Sequence, residues 1–411
     1  MPVTTFTSVK QYLGIATEAT QGTAVTTPTA TIPFTKFEPE DKPVWLDDKA
    51  LRGSMAELYN KVEGVIKTDF LLSGPVYGDS LPYLLANVFG DNSAQGAVGT
   101  STTTTGTNSA GSTSLTVTSG TGIANGNILN VGTTAPNQEI VKVLSGGGTT
   151  TLTLTTALRY TYAAGQNVSV ATAPYTRQYS LLNSGQGQPV SHTFLHFQGP
   201  AATTSTRVYA GACLSELNLK FNAESNLFEY DAKGSCYPST IDGTIPTNSP
   251  SAIQAIAPWR GVLGVAGPAS GGTKVVTVTD GEILFKRTLE PIFTVQGSQS
   301  PYFIQRGPLA VTGKLTFVAA DETAYLNMIQ NTQPQIQFLL DNGLAGAADI
   351  TVTVDMQKCA FTAAKYNASK VAVRYDVTFE AVANTTNIGA SGGFGPATCT
   401  VKNAVDITQY V

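Results

Sequence analysis

Lys220-Phe221-Asn222-Ala223-Glu224-Ser225-Asn226-Leu227-Phe228-Glu229-Tyr230-Asp231 returns 145 residues later as Lys365-Tyr366-Asn367-Ala368-Ser369-Lys370-Val371-Ala372-Val373-Arg374-Tyr375-Asp376. Lys-aromatic-Asn-Ala and Tyr-Asp stand at the same offset in both copies. Each copy reads as a turn leading into a strand. A module that occurs twice places function in how modules assemble rather than in a single pocket.

The repeat spreads outward from this stretch. Leu13-Gly14-Ile15-Ala16 answers Leu263-Gly264-Val265-Ala266, and Gly22-Thr23 answers Gly272-Thr273. Slightly out of register, Ile32-Pro33-Phe34 answers Ile283-Leu284-Phe285, and Glu38-Pro39 answers Glu290-Pro291. Val44–Gly64 mixes charge, Gly and aromatics without a period, which predicts a long loop with a short helical turn around Ala56–Tyr59. Its counterpart is Thr294–Gly307, and loops of this length are commonly functional or held by a partner. Next comes a strand with Ile66, Thr68, Phe70 and Leu72 on one side and Lys67 and Asp69 on the other. Val311, Leu315 and Phe317 alternate in the same way with Thr312, Lys314 and Thr316, giving one buried and one wet face. Asp79–Gly90 reads as a helix capped by Asp79, with Pro82 in its first turn, a stripe of Leu81, Leu84, Leu85 and Val88, and Gly90 as the stop. Its counterpart is Asp321–Gln330, and both stripes read as sheet-packing faces. Val371, Val373, Tyr375, Val377, Phe379 and Ala381 alternate with Lys370, Arg374, Asp376, Thr378 and Glu380 as the closing strand. The tail after Asn384, with a last short strand at Ala404–Tyr410, caps an edge or reaches a neighbour.

Between Asn92 and Pro174 the only charged residues are Glu139, Lys142 and Arg159, and nothing in the second copy corresponds. Short strands are predicted at Ser114–Thr118, Ile128–Val131, Glu139–Val143, Thr151–Thr155 and Asn167–Val170. The expected organisation is a first module of residues 1–92 plus 174–245, an inserted outer β-domain of 93–173, and a second module of 246–411 with a C-terminal tail.

Composition excludes several function classes. Charged residues make up 13% of the 411-residue chain, against roughly 25% in an average soluble domain. The net charge of −4 offers no basic face for tight nucleic-acid binding. The N-terminus lacks the pattern of a signal peptide, and no apolar run is long enough for a membrane helix. Cys213, Cys236, Cys359 and Cys399 are far apart with no CxxC spacing, and read as free thiols. His192 and His196 could share a face, but no Asp, Glu or Cys stands beside them at metal-ligand spacing. Gly267–Lys274 looks faintly like a phosphate loop, but no Gly-Lys-[Ser/Thr] occurs. The acids Glu38, Glu40, Asp41, Asp47 and Asp48 lack calcium-loop spacing. No catalytic, cofactor or metal residues are assigned, and the reading is of a non-enzyme.

Phe37–Tyr59, with the Gly74-Pro75 turn and the helix Asp79–Gly90, resembles the major tail (tail tube) proteins of long-tailed, siphovirus-type phages infecting actinobacteria. The resemblance covers about residues 1–92 and 174–411. It implies a mainly β fold, with two packed β-sheets and a flanking helix per module, duplicated here and carrying an inserted small β-domain. It also implies a virion protein, assembled in the host cytoplasm, whose rings stack into the tail tube through which DNA passes at ejection. One sheet of each module would join a β-barrel around the lumen. Implied partners are further copies of the chain, the tape measure protein, and the distal tail and tail terminator proteins; double-stranded DNA passes without specific binding, and no membrane or cofactor is involved. Such tubes have six modules per ring, so a duplicated chain needs three copies. The candidate contacts between subunits and rings are Trp45, Asp47, Asp48, Arg52, Glu57, Tyr59, Gln299, Tyr302 and Arg306. The candidate lumen residues are Lys67, Asp69, Lys314, Arg374, Asp376 and Glu380. Competing readings are a capsid decoration or surface-layer protein, the latter disfavoured by the missing secretion signal. A carbohydrate-binding adhesin would need more exposed aromatics in the insert than Tyr160 and Tyr162.

Overall fold

Alternation from Thr68 to Leu72 forms the inner end of a hairpin much longer than the sequence suggests. The computed structural model describes residues 8–133, 137–199, 206–224, 227–242, 244–271, 273–406 and 410. Ser225 and Asn226 of the repeated motif, Gly272, and part of the Ala404–Tyr410 segment lie outside them. The chain opens with β1 (Tyr12–Thr17) and β2 (Ala30–Ile32), then the hairpin of β3 (Lys36–Asp48) and β4 (Asn60–Pro75). Val44–Gly64 is therefore not one long loop. Val44–Asp48 and Asn60–Gly64 belong to those strands, only residues 49–59 turn, and no helical turn forms at Ala56–Tyr59. Most side chains from Glu40 to Glu63 are exposed, so no buried face imposed a period-2 pattern there.

α1 (Leu81–Phe89) follows, with Ser80 rather than Asp79 at the N-cap and Gly90 at the C-cap with a positive φ of 85°. The excursion comprises β5 (Gly90–Thr103), β6 (Ser114–Thr116), β7 (Ile128–Val131), β8 (Glu139–Ser145), β9 (Thr151–Leu154) and β10 (Asn167–Leu181). β5 and β10 pair from Gly90/Leu181 out to Thr103/Asn167, so positions 92/93 and 173/174 fall inside two long strands. The far end has its own apolar cluster, including Leu115, Leu129, Val141, Leu152 and Val168. β11 (His192–Phe197), β12 (Thr206–Asn222), β13 (Glu229–Cys236) and β14 (Thr240–Asp242) complete the first half.

The second half runs β15 (Val262–Val265), β16 (Lys274–Val275), β17 (Val278–Ile292), β18 (Phe303–Val318), α2 (Thr323–Gln330), β19 (Ile336–Asp341), β20 (Thr351–Met356), β21 (Cys359–Asn367), β22 (Arg374–Ala381) and β23 (Thr398–Asn403). Three expectations shift here. Phe303–Gly307 is strand rather than loop, the closing strand starts at Arg374 with Val371 bare in the preceding turn, and the last strand is Thr398–Asn403. That strand pairs with β20 and β10, so the tail joins the two halves of its own chain.

Two layers enclose the main core. One layer has the order β3-β4-β13-β12-β17-β18-β22-β21. The first half of β12 pairs with β11 and β14 in the opposite layer, and its second half pairs with β13 and β17. β2-β1-β11 continue from that first half of β12 and lay Phe194 against Phe37 and Phe70, while the second sheet runs β16-β15-β19-β20-β23-β10. Phe70, Leu72, Leu217, Phe285, Leu315 and Val377 meet between the layers.

The eight-strand layer is the duplication drawn in hydrogen bonds: β3-β4-β13-β12 is followed by β17-β18-β22-β21. Ser73 faces Asp231 as Thr316 faces Asp376, which puts β4 level with β18. Glu38 then lies level with Glu282, so the sequence match of Glu38-Pro39 to Glu290-Pro291 is out of step with the ladder. Asn218 opposes Asp231 whereas Lys365 opposes Asp376, so the motif lysine has slid by two residues between copies. A slip of that size keeps every side chain on its face.

Candidate functional site

Period-2 alternation gives the eight-strand layer a core face and an open face. Lys67, Asp69, Lys314, Arg374, Asp376 and Glu380 all stand on the open one, in phase opposite to buried Phe70, Leu315 and Val377. The structure adds charged residues that were not singled out as lumen candidates, among them Lys220 and Asp231 of the repeated motif. The signal was their strand phase, legible only once both strands of each hairpin are registered.

Across this face, acids and bases interleave. Asp69 meets Lys42 at 3.0 Å and Lys67 at 3.1 Å; Glu216 meets Lys233 at 2.9 Å and Lys286 at 3.4 Å; Lys314 meets Glu282 at 2.6 Å. Lys220 pairs with Asp231, and Asp376 accepts hydrogen bonds from Asn367 at 2.8 Å and Thr316 at 3.3 Å. Partial burial would raise Asp69 and Asp231, but the Ser235 hydroxyl and two ammonium groups beside Asp69, and Lys220 beside Asp231, hold both below the usual carboxylate range. The hydrogen bond from Lys233 lowers Glu216, and that from Lys314 lowers Glu282, each outweighing burial. An open groove of about 480 Å³ crosses the joint between the halves, lined by Lys220, Asp280, Glu282, Lys314 and Asp376. Exposed pairs contribute about 0–1 kcal/mol each. Their larger effect is to cancel the field of the face.

The hairpin ends carry the other candidates. Trp45 is exposed on β3. Asp47 pairs with Lys61 at 3.0 Å, Glu57 with Lys49 at 3.1 Å, and Asp48 with Arg52, whose guanidinium lies 5.2 Å from the Tyr59 ring centroid. The tip is thus braced internally while Leu51 and Met55 face solvent. The counterpart tip, residues 293–302, docks on the base of the first hairpin. Gln299 donates to the Gly64 carbonyl and accepts from the Ile66 amide, both at 2.9 Å, and Tyr237 donates to the Tyr302 carbonyl at 2.9 Å.

Arg306 is a correction. It lies on β18 and is 3% exposed, so it is no surface contact. Its guanidinium donates to the carbonyls of Pro189 (2.7 Å) and Asn87 (3.3 Å) and approaches Cys213 Sγ at 3.0 Å, binding the second half to α1 of the first. His192 lies beside it, hydrogen-bonded to Asn87 at 2.9 Å, and burial followed by Arg306 lowers its pKa to about 3; burial lowers His196 to about 4. The four cysteines are buried, unbridged thiols. Among the described residues, no group of three or more His, Cys, Asp or Glu could hold a metal ion, and no helix is long and apolar enough to cross a membrane.

A four-strand set repeated along one sheet, edge strands with a single partner among the described residues, and a broad face of interleaved acids and bases suit a structural, assembling class of protein. The family described as phage tail tube protein matches residues 8–409, and the chain belongs to it. It is a structural component of the virion tail, of a kind that self-assembles into a tube. No curated protein matches the chain.

Proposed function

We propose that three chains close a pseudo-hexameric ring, that rings stack into the tail tube of a siphovirus-type phage, and that the open face of the eight-strand layer lines the channel for DNA ejection. The supporting observation is the strand order, the same four-strand set twice in one continuous sheet. Six such sets make a barrel of about 24 strands, roughly 45–50 Å across at a spacing of about 4.8 Å and a tilt of about 40°. Side chains leave a lumen of roughly 35–40 Å, wide enough for a duplex about 20 Å across; three sets would leave only roughly 10–15 Å.

On this reading, residues 1–92 with 174–245, and 246–411, are the two ring modules, and the 93–173 excursion decorates the outside. The two hairpin tips meet the adjacent ring, and the tape measure, distal tail and terminator proteins meet the tube's interior and ends. Interleaved acids and bases suit a conduit, since uncompensated lysines would hold phosphates and slow passage. Assembly takes place in the host cytoplasm. The test is electron microscopy of the purified protein together with ejection kinetics. Hollow tubes of constant width are expected, and Asp69→Lys with Asp376→Lys should slow ejection. Persistent monomers at high concentration would sink the proposal.

A further inference from the structure

Among the described residues, β3 and β21 each have one partner, so the eight-strand layer ends in two unpaired edges. They are not chemically alike. The Ile66 amide points away from β3, to Gln299. Alternation then directs the amides of Lys67, Asp69, Leu71 and Ser73 toward β3, and those of Phe37, Pro39, Asp41 and Pro43 toward the empty side. Two of these four positions are prolines, which have no N–H to offer, the usual device for guarding a strand edge. On β21 the outward groups belong to Ala364 and Tyr366, each with both donor and acceptor.

The chain already contains the joint that would satisfy them. β12 pairs with β17 between the halves: Glu216/Lys286, Asn218/Leu284, Leu219/Ile283 and Lys220/Glu282. β21 corresponds to β12 through their shared partners, because Lys365 faces Asp376 as Asn218 faces Asp231, and the bulges after Leu214 and Phe361 coincide. β3 corresponds to β17 in the same way, with Glu40 level with Leu284 and Lys42 with Lys286.

We infer that β21 of one copy pairs antiparallel with β3 of the next in the register of the β12–β17 joint, setting Lys365 opposite Glu40 and Tyr366 opposite Pro39 of the neighbour. This rests on the ring assembly proposed above and names the edge and register that make it. Two observations favour this register. Lys365 makes no ion pair among the described residues, and the register places it opposite Glu40, with Glu38 diagonal to it; these exposed glutamates meet Lys42 at 3.4 Å and Lys36 at 2.9 Å in the single chain and can share a further cation. The prolines also fit: the Tyr366 amide donates to the Pro39 carbonyl, and Pro43 falls opposite the bulge at Thr362, where the ladder stops. Beside this edge, α2 packs on β21 and leaves Tyr325, Leu326 and Ile329 exposed for the same neighbour to cover.

Residues 365 and 40 would form a non-hydrogen-bonded pair, about 4.5 Å between Cα atoms, close enough for a disulfide. Lys365→Cys/Glu40→Cys, oxidised after assembly, should link chains at least about tenfold more efficiently than Lys365→Cys/Glu38→Cys, which reports a register slipped by two. Lys365→Glu should slow assembly, and Lys365→Glu/Glu40→Lys should restore it. Wild-type tubes in which the Glu40 pair does not cross-link, or links no better than the Glu38 pair, overturn the register. Should the cysteine variants fail to assemble, absence of charge-swap rescue overturns it instead. A wild-type chain that forms no rings overturns the assembly reading itself.

Discussion

The two helices hold the same place in their modules and meet opposite fates. α1 has eight of its residues buried, including Leu81, Leu84, Leu85, Val88 and Phe89; α2 has none. α1 packs on β12, β5 and β10 of its own half, and the second half adds to that cover. Phe89 packs edge-on against Phe285 at 5.3 Å, Tyr83 against Tyr410 at 4.9 Å, and Arg306 binds the Asn87 carbonyl. α2 sits at the same step in the second module, and none of its residues is buried. Its Tyr325, Leu326 and Ile329 are 41%, 44% and 58% exposed. α2 does pack on β21, with Ala324 and Met328 against the core, so it is covered on one side only, whereas α1 is enclosed.

Mutations sharpen that contrast. Leu85→Ala should cost about 2–5 kcal/mol in urea unfolding of the single chain, since a fully buried leucine leaves a cavity. Arg306→Met should cost about 1–3 kcal/mol by stranding buried carbonyls, and a loss near zero would show that the module joint does not depend on it. Acid comes next. His192 and His196 are neutral in the fold, while the unfolded chain takes up protons around the ordinary value of 6.5. Unfolded chains thus bind more protons across roughly pH 6.5 to 3, and stability falls as pH drops through that window. His192→Gln should flatten the decline in urea midpoint between pH 7 and 5; an unchanged slope would contradict the burial argument. The depressed carboxylates Asp69, Asp231, Glu216 and Glu282 add a further loss only at lower pH, as each is protonated below its usual range. Smallest of all for the single chain, Ile329→Asp should change stability within about 0.5 kcal/mol yet block assembly, read by sedimentation velocity. Normal assembly of that variant would break the comparison.

How much of this was legible in sequence follows from where burial imposes a pattern. Thr68-Asp69-Phe70-Leu71-Leu72 and Thr312–Phe317 alternate because one side meets the core, so strands and phase could be read directly. The insert strands were legible from their Gly-rich turns. Val44–Gly64 was not, because a hairpin that leaves the sheet has no buried face to write a period. Arg306 was misplaced because an arginine reads as surface, while its carbonyl partners at Asn87 and Pro189 are over a hundred residues away. The motif lysines Lys220 and Lys365 marked the duplication correctly, but the two-residue slip between them became visible only through pairing with Asp231 and Asp376. Sequence similarity locates a repeated strand; the ladder decides its register.

On the proposed assembly, another copy covers the open edge of the second module, so that modules run around the ring without interruption. Native mass spectrometry of a single released ring tests it most directly. Three chains of 42.9 kDa each per ring are expected; a ring of six chains would contradict the proposed assembly.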